Sequence, residues 1–179
     1  FKKNLIIYLI YKVINLPILG FGILGEFALG FQIYSVMILF ASISFKLLLL
    51  NDTEGKDSKK MSLVILLIST IISILGIILG PQIIPILFPQ FINVIEIIPI
   101  MSLAVIPNTL VLIFSSKFLG NEKSKFILIG TIIYATSYLL LILLLGATYG
   151  IHGLAYTFLI TSTGYAIYLI CIYKNQIKN

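Results

Sequence analysis

The spacing of the basic residues constrains this chain more than any other feature of its sequence. All 12 basic residues are lysines, and three long stretches lack them: 13–45, 61–116 and 126–173. Cytoplasmic loops of membrane proteins keep Lys and Arg, whereas short exported loops lack them. The rhythm therefore predicts a chain that crosses a membrane six times and has both ends in the cytoplasm.

The composition supports a membrane protein. The chain has 179 residues, of which 60% are hydrophobic and 10% are charged, outside the usual range of soluble domains. A span needs about 20 apolar residues, whereas barrel strands have about ten and alternate. We therefore predict an all-α, integral membrane bundle forming one domain, 1–179. Its six predicted spans are 4–24, 27–50, 61–80, 91–115, 126–145 and 151–173.

The basic character of the chain does not indicate a nucleic-acid partner. The formal net charge is +6, but the lysines flank the predicted spans, where they face anionic lipid and set the orientation. The single cysteine, Cys171, has no partner for a disulfide, and metal sites need several ligands. We predict the lipid bilayer as a partner, and no metal, cofactor or nucleic acid. Because Phe1 is not an initiator residue, we expect a fragment of a longer protein.

Signatures of enzymes are absent from the sequence. Glu122-Lys123-Ser124 lacks the glycine that precedes the lysine of a phosphate-binding loop. The single histidine, His152, has no second ligand nearby in the sequence and is expected to have an interfacial or capping role. Glu26 and Glu96 fall at outer helix ends, where the helix dipole favours a carboxylate. No pair of carboxylates lies on one helical face, so we predict that the chain is not an enzyme.

Prolines and glycines mark expected irregularities. The stretch 81–90 holds three prolines and should not be a regular helix throughout; we expect it to lie in the outer interface or to dip slightly into the bilayer. Pro99 and Pro107 fall inside the fourth span, which should be kinked there, so both are hinge candidates. The pair Gly76 and Gly80 would permit close helix packing.

Polar residues inside the first span are the first candidates for a site. Lys12 is eight residues from the start of the span and twelve from its end, and a lysine near the bilayer centre costs roughly 2.5–3.5 kcal/mol. Asn4, Tyr8, Lys12 and Asn15 share one helical face. Such residues usually face the bundle interior or a watery cavity. Tyr8, Lys12 and Asn15 are therefore candidates for lining a cavity.

The second span repeats this pattern. Gln32, Ser35, Ser42 and Lys46 share one face, so two neighbouring helices would line a hydrophilic, cationic cavity for a substrate with negative charge. Alternatively, Lys12 and Lys46 extend to the inner interface while the other polar side chains bond between helices. We favour that alternative for Lys46, which is about five residues from a loop, and cavity lining for Lys12.

Four stretches carry a resemblance to a known family. Leu24–Tyr34 (LGEFALGFQIY) is similar to a helix entry "LG-x-[FY]-x-L-[AG]", and Ile83–Phe91 (IIPILFPQF) to a segment "LFG-x-x-[FY]", with Pro89 at the glycine. Phe118–Lys125 (FLGNEKSK) is similar to a loop "G-x-x-K", and Tyr149–Tyr156 (YGIHGLAY) to "G-x-x-G-A-A". In this order they resemble the polysaccharide flippases of the multidrug/oligosaccharidyl-lipid/polysaccharide exporter superfamily.

The resemblance implies one lobe of a two-lobed transporter. Members have two six-helix halves, and the first two helices of each half line the central cavity. The chain would be the second half, and its partners would be a missing N-terminal six-helix half and a lipid-linked glycan. The implied function is translocation of lipid-linked oligosaccharide or polysaccharide repeat units across the cytoplasmic membrane by alternating access.

Two other functions stay open. One is a cation-coupled multidrug exporter of the same superfamily, which would need a membrane-embedded acid from the missing half. The other is a non-transporting membrane subunit of a glycan-assembly complex.

Overall fold

The computed structural model describes residues 22–177, and this part of the chain is helical with no strand. The prediction of an all-α fold is confirmed. The helices are α1 (Gly22–Met37), α2 (Leu39–Thr53), α3 (Lys59–Leu87), α4 (Val94–Leu103), α5 (Val105–Gly120), α6 (Ser124–Leu141) and α7 (Ala147–Ile177), with a π-helical segment, Ile142–Gly146, between α6 and α7.

The second predicted span is bent. Helices α1 and α2 meet at Ile38 with an angle of 44° between them. The backbone stays bonded through the bend, because Ile38 N donates to Tyr34 O and Ser42 N donates to Ile38 O, both at 3.0 Å. One turn earlier, the Ser35 hydroxyl donates to the Phe31 carbonyl at 2.8 Å. Bonds of this kind from serine to the preceding turn often bend helices.

Helix α3 extends seven residues beyond its predicted end at Gly80, so that boundary was wrong. Pro81 and Pro85 lie inside the helix, where a proline removes one backbone hydrogen bond without ending the helix. The helix ends before Phe88, whose φ of −134° and ψ of 62° are extended. Phe88 precedes Pro89, and a residue before proline is driven out of the helical region.

Helices α4 and α5 form the centre of the bundle. Together they cover Val94–Gly120, and 56% of their most apolar stretch is buried, against 17% for α3. Helix α3 packs closely on α4 through small residues: a Cβ on Gly76 would overlap Ser102, and a Cβ on Gly80 would overlap Ile98. The rest of α3 exposes large apolar side chains, as expected of a helix that faces lipid.

Helices α6 and α7 form a hairpin that reverses direction at Gly150. The backbone of Gly150 has φ 56° and ψ −129°, a conformation that is essentially restricted to glycine. In a straight helix Gly130 and Tyr165 would lie about 50 Å apart at 1.5 Å per residue. Instead, a Cβ on Gly130 would lie 2.6 Å from the Tyr165 ring, so the two arms pack side by side.

Fewer helices qualify as membrane spans by length and composition than the six predicted. Residues 22–177 contain three such helices: Lys59–Leu87, Val94–Gly120 and Ser124–Asn175. There are four if the bent pair α1–α2 counts as one span. The stretch Ser124–Asn175 contains both arms of the α6–α7 hairpin. These helices are compatible with a membrane protein.

The connections of the bundle collect at two opposite ends. At the lysine end, Asp52 at the close of α2 contacts Gly120 at the close of α5, and Lys117 of α5 lies over the ring of Tyr173 near the close of α7. At the histidine end, Glu26 of α1 contacts Asn93 before α4, and Glu96 of α4 contacts His152 after the hairpin turn.

Candidate functional site

The predicted cavity residues divide between described and undescribed parts of the chain. Tyr8, Lys12 and Asn15 lie outside the described residues. The other four lie along α1 and α2, on both sides of the bend at Ile38. Their placement in the structure neither requires nor excludes a cavity role, and that role stays a prediction. The four residues are Gln32, Ser35, Ser42 and Lys46.

These four residues form an outward-facing polar stripe on α1–α2. Gln32, Ser42 and Lys46 are exposed, and Ser35 is half-buried because its hydroxyl bonds back to its own helix. Large apolar side chains such as Leu39 and Ile43 are exposed on the same helix. An amide and an ammonium facing hydrocarbon would be unfavourable. If the helix is in a membrane, the stripe therefore needs water, a ligand or another helix against it.

A second polar group, which the sequence did not predict, lies inside the bundle. We call it the central network: Tyr34 of α1, Asn108 of α5, Tyr134 of α6, and Thr161 and Ser162 of α7. The Asn108 side-chain nitrogen donates to the Ser162 hydroxyl at 3.0 Å, and Asn108 also reaches the Tyr34 hydroxyl. The Tyr134 hydroxyl lies beside the hydroxyls of Ser162 and Thr161. Four helices are thus joined by uncharged polar groups.

The central network occupies the place where α4 meets α5. Pro107 has no N–H, so the carbonyl of Leu103, four residues earlier, has no helical donor. The helix is irregular at the next residue, Ala104, which ends α4 and precedes α5. The carbonyl of Ala104 accepts from both the backbone and the side chain of Asn108, at 3.2 and 2.9 Å. Asn108 therefore ties the helix break to the rest of the network.

The two hinge candidates relate differently to this break. Pro107 lies three residues after Ala104 and next to Asn108, in the first turn of α5. Pro99 lies inside α4, which continues through it to Leu103. The structure shows one conformation, so the hinge role stays a prediction for both prolines. Pro107 is the one beside an observed irregularity.

A buried threonine beside the network has a hydroxyl that makes no hydrogen bond within residues 22–177. It is Thr157 of α7, which is fully buried. Its backbone carbonyl accepts from Thr161 at 2.7 Å. Unsatisfied buried polar groups are uncommon in folded proteins. The site therefore retains a hydroxyl able to bond a water molecule or a ligand group.

A metal site finds no support in the described part of the chain. Residues 22–177 hold no cluster of three His, Cys, Asp or Glu side chains able to bind a metal ion. His152 instead pairs with Glu96 at 2.7 Å at the histidine end. The groups available for binding are the amides, hydroxyls and ammonium described above.

A sequence signal for the central network did exist in Asn108. An amide in the middle of an apolar span is costly unless partners satisfy it. Its partners could not be inferred, because Tyr34 and Ser162 lie 74 and 54 residues away on helices whose packing the sequence does not specify. Comparisons of the chain with protein-family models, curated proteins and solved structures found no match.

Proposed function

We propose that this chain is one lobe of a membrane transporter that moves lipid-linked oligosaccharide or polysaccharide repeat units across the cytoplasmic membrane by alternating access. The observation that carries the proposal is the polar stripe Gln32, Ser35, Ser42 and Lys46. It lies exposed on a bent helix pair in a bundle whose outward side chains are mostly large and apolar.

A bundle of six spans with both termini in the cytoplasm is part of the proposal. The bent pair α1–α2, helix α3, the pair α4–α5 and the two arms of the α6–α7 hairpin would make five crossings. The predicted span 4–24 would make the sixth. The connections that carry lysines lie together at the lysine end. Because cytoplasmic connections retain lysine, this supports placing the lysine end in the cytoplasm.

The stripe suits an anionic substrate. An ammonium in a water-filled cavity with low-dielectric walls attracts phosphate more strongly than it does in bulk water. Lys46, with Lys12 on the first span, would hold a diphosphate or acidic sugars, while the amide of Gln32 and the hydroxyl of Ser42 would bond sugar hydroxyls. The missing N-terminal half would close the cavity.

Alternating access requires a place where the lobe can bend. The irregular turn at Ala104, beside Pro107, supplies a break in the most buried helix of the bundle. The uncharged central network could exchange hydrogen-bond partners there without separating charges. Pro107, together with Pro99, would therefore allow α4 to move relative to α5.

The test uses the complete transporter in proteoliposomes with a fluorescent lipid-linked oligosaccharide. Lys46→Gln and Lys12→Gln should each lower the flipping rate about tenfold or more, because each removes one charge-assisted contact worth about 1.5–3 kcal/mol. The matched control is Lys60→Gln, which removes an exposed lysine at the start of α3.

Three results would count against the proposal. Normal flipping in both cavity variants, with normal membrane insertion, would remove the role given to the stripe. Export of cationic dyes with no flipping of glycolipid would favour the drug exporter. An absence of any transport by the complete protein, together with co-purification of glycan-assembly enzymes, would favour the non-transporting subunit.

A further inference from the structure

A groove along the α6–α7 hairpin lies apart from the polar stripe of the proposed transport cavity, although it shares Tyr134 and Thr161 with the central network. It has a volume of about 260 Å³ and is lined by residues from Gly130 to Leu141 on α6 and from Ile160 to Tyr168 on α7. The lining is mostly apolar and aromatic, with tyrosine rings along it. We call it the α6–α7 groove.

The groove runs along the helices and has the length of one leaflet. The eleven steps from Gly130 to Leu141 on α6 and the eight steps from Ile160 to Tyr168 on α7 correspond to about 16 Å and 12 Å at 1.5 Å per residue. Half of a hydrocarbon core of about 30 Å is about 15 Å. A single extended hydrocarbon chain fits both its length and its direction.

Glycines on the two arms shape the groove differently. At Gly130 an added Cβ would lie 2.6 Å from the rings of Tyr165 and Tyr168, so this glycine lets the arms approach. At Gly164 an added Cβ would meet no atom within 4 Å. The space over Gly164 is therefore open, and a side chain placed there would enter the groove.

The end of the groove at Gly130 and Tyr168 lies close to lysines. Lys125 precedes Gly130 by five residues and Lys174 follows Tyr168 by six, so both lie about 8–9 Å further along their helices. The Lys125 ammonium lies over the ring of Phe126, 5.2 Å from its centre. Basic pockets between membrane helices on the cytoplasmic side bind the head groups of anionic lipids. The two lysines thus lie beyond the same end of the groove, at the level along the helices where a phosphate head group would follow an acyl chain in the groove.

We propose that the α6–α7 groove binds one acyl chain of an anionic phospholipid whose phosphate lies against Lys125 and Lys174. The inference goes beyond the transport function and requires only that the hairpin lies in a bilayer. The bound lipid would come from the leaflet at the lysine end. It would fill a gap between the two arms that their own side chains leave open.

The experiment measures lipid adducts on the full chain by native mass spectrometry after release from detergent. Phosphatidylglycerol and phosphatidylcholine with the same acyl chains are supplied in equal amounts. The wild-type protein should retain phosphatidylglycerol about tenfold more than phosphatidylcholine. Gly164→Leu, which fills the groove, should reduce retention of both lipids about tenfold.

Two further variants separate the groove from the head-group site. Thr163→Leu places the same leucine side chain on an exposed neighbour outside the lining, so it should retain lipid like the wild type. The double variant Lys125→Gln/Lys174→Gln should bind both lipids equally. The thermal unfolding temperature of each variant shows whether it has folded.

Four outcomes would overturn the proposal. They are full lipid retention by folded Gly164→Leu, equal loss in Thr163→Leu, no preference for phosphatidylglycerol in the wild type, and displacement of phosphatidylglycerol by an equimolar polyprenyl phosphate. The last would make a carrier lipid the occupant. Because no transport is measured, these outcomes are independent of the flipping assay.

Discussion

The lysine end and the histidine end of the bundle both use carboxylates to join helices, but in different surroundings. At the lysine end, Asp52 accepts the hydroxyls of Ser58 and Ser116, each at 2.5 Å, and both serines are buried. At the histidine end, the side chains of His152 and Glu96 are 39% and 63% exposed.

Similar polar contacts therefore contribute very different amounts to the free energy of unfolding, according to their access to water. Removing the acceptor of a buried donor leaves that donor unsatisfied, at about 1–3 kcal/mol. An exposed ion pair is worth about 0–1 kcal/mol, because water solvates its members when they separate. The lysine end should therefore be the firmer of the two, and the histidine end the one that opens more readily.

Removing the carboxylate of Asp52 should have the largest effect. We expect Asp52→Ala to lower the free energy of unfolding by about 3 kcal/mol, because two buried serine hydroxyls lose a charged acceptor. At 2–4 °C per kcal/mol, the thermal unfolding temperature in detergent should fall by about 6–12 °C. Asp52→Asn keeps one acceptor oxygen and should lose about half as much. A loss below 1 kcal/mol in Asp52→Ala would remove the contrast between the two ends.

Adding one methyl group beside Asp52 should have the next largest effect. A Cβ on Gly120 would lie 2.7 Å from the Cβ of Asp52 and 2.8 Å from its backbone carbon. Backbone cannot rotate aside, so Gly120→Ala should force α2 and α5 apart and destabilise the protein by about 2 kcal/mol. The matched control is Gly22→Ala, where an added Cβ meets nothing within 4 Å. Equal unfolding temperatures for the two variants would contradict the close approach at Gly120.

Removing one donor to Asp52 should have a smaller effect. Ser116→Ala deletes a buried hydroxyl that also contacts the Ile113 carbonyl at 3.0 Å. We expect a loss of about 1 kcal/mol, because Asp52 keeps its bond from Ser58. Thr163→Ala, which removes an exposed hydroxyl bonded within its own helix, serves as the comparison. A larger loss in Thr163→Ala than in Ser116→Ala would show that burial does not govern these contributions.

Breaking the ion pair at the histidine end should have the smallest effect. His152→Ala should change the free energy of unfolding by less than about 1 kcal/mol. A double-mutant cycle of His152→Ala with Glu96→Ala should give a coupling energy of about 0.2–1 kcal/mol, which weakens as salt is raised. A coupling energy of 2 kcal/mol or more that does not change with salt would contradict the predicted difference in stability between the two ends.

The sequence predicted the all-helical class and the positions of the two ends, for identifiable reasons. Lysines at 56–60, 117–125 and 174 recur at intervals, and the structure brings the segments that carry them to one end. Helix content followed from apolar runs too long for strands. Helix content and lysine position each depend on the residues of one segment, so they can be read from a single sequence.

Bends and boundaries were less predictable. The 44° bend at Ile38 involves neither proline nor glycine, and the adjacent Ser35 bond depends on a rotamer. Conversely, Pro81 and Pro85 were expected to disrupt a segment that α3 in fact continues to Leu87. A proline removes a single helical bond, and flanking bonds on both sides maintain the helix.

The central network was beyond the reach of sequence patterns. Tyr34, Asn108, Tyr134 and Ser162 each belong to a different helix, and each alone resembles an ordinary polar residue in a span. Only the packing of four helices brings them together. The polar stripe on α1–α2 was predictable because its members lie close in sequence, within one predicted span, and follow one helical period.

The backbone of Gly150 has a consequence for biosynthesis. Its positive φ lets the chain reverse direction almost within one residue. The two arms and the turn between them contain no lysine between Lys125 and Lys174. Under the proposed orientation, both arms must enter the bilayer together as one folded unit during translation, with the turn leading. A β-branched residue at this position would impair membrane integration of the nascent chain before any question of transport arises.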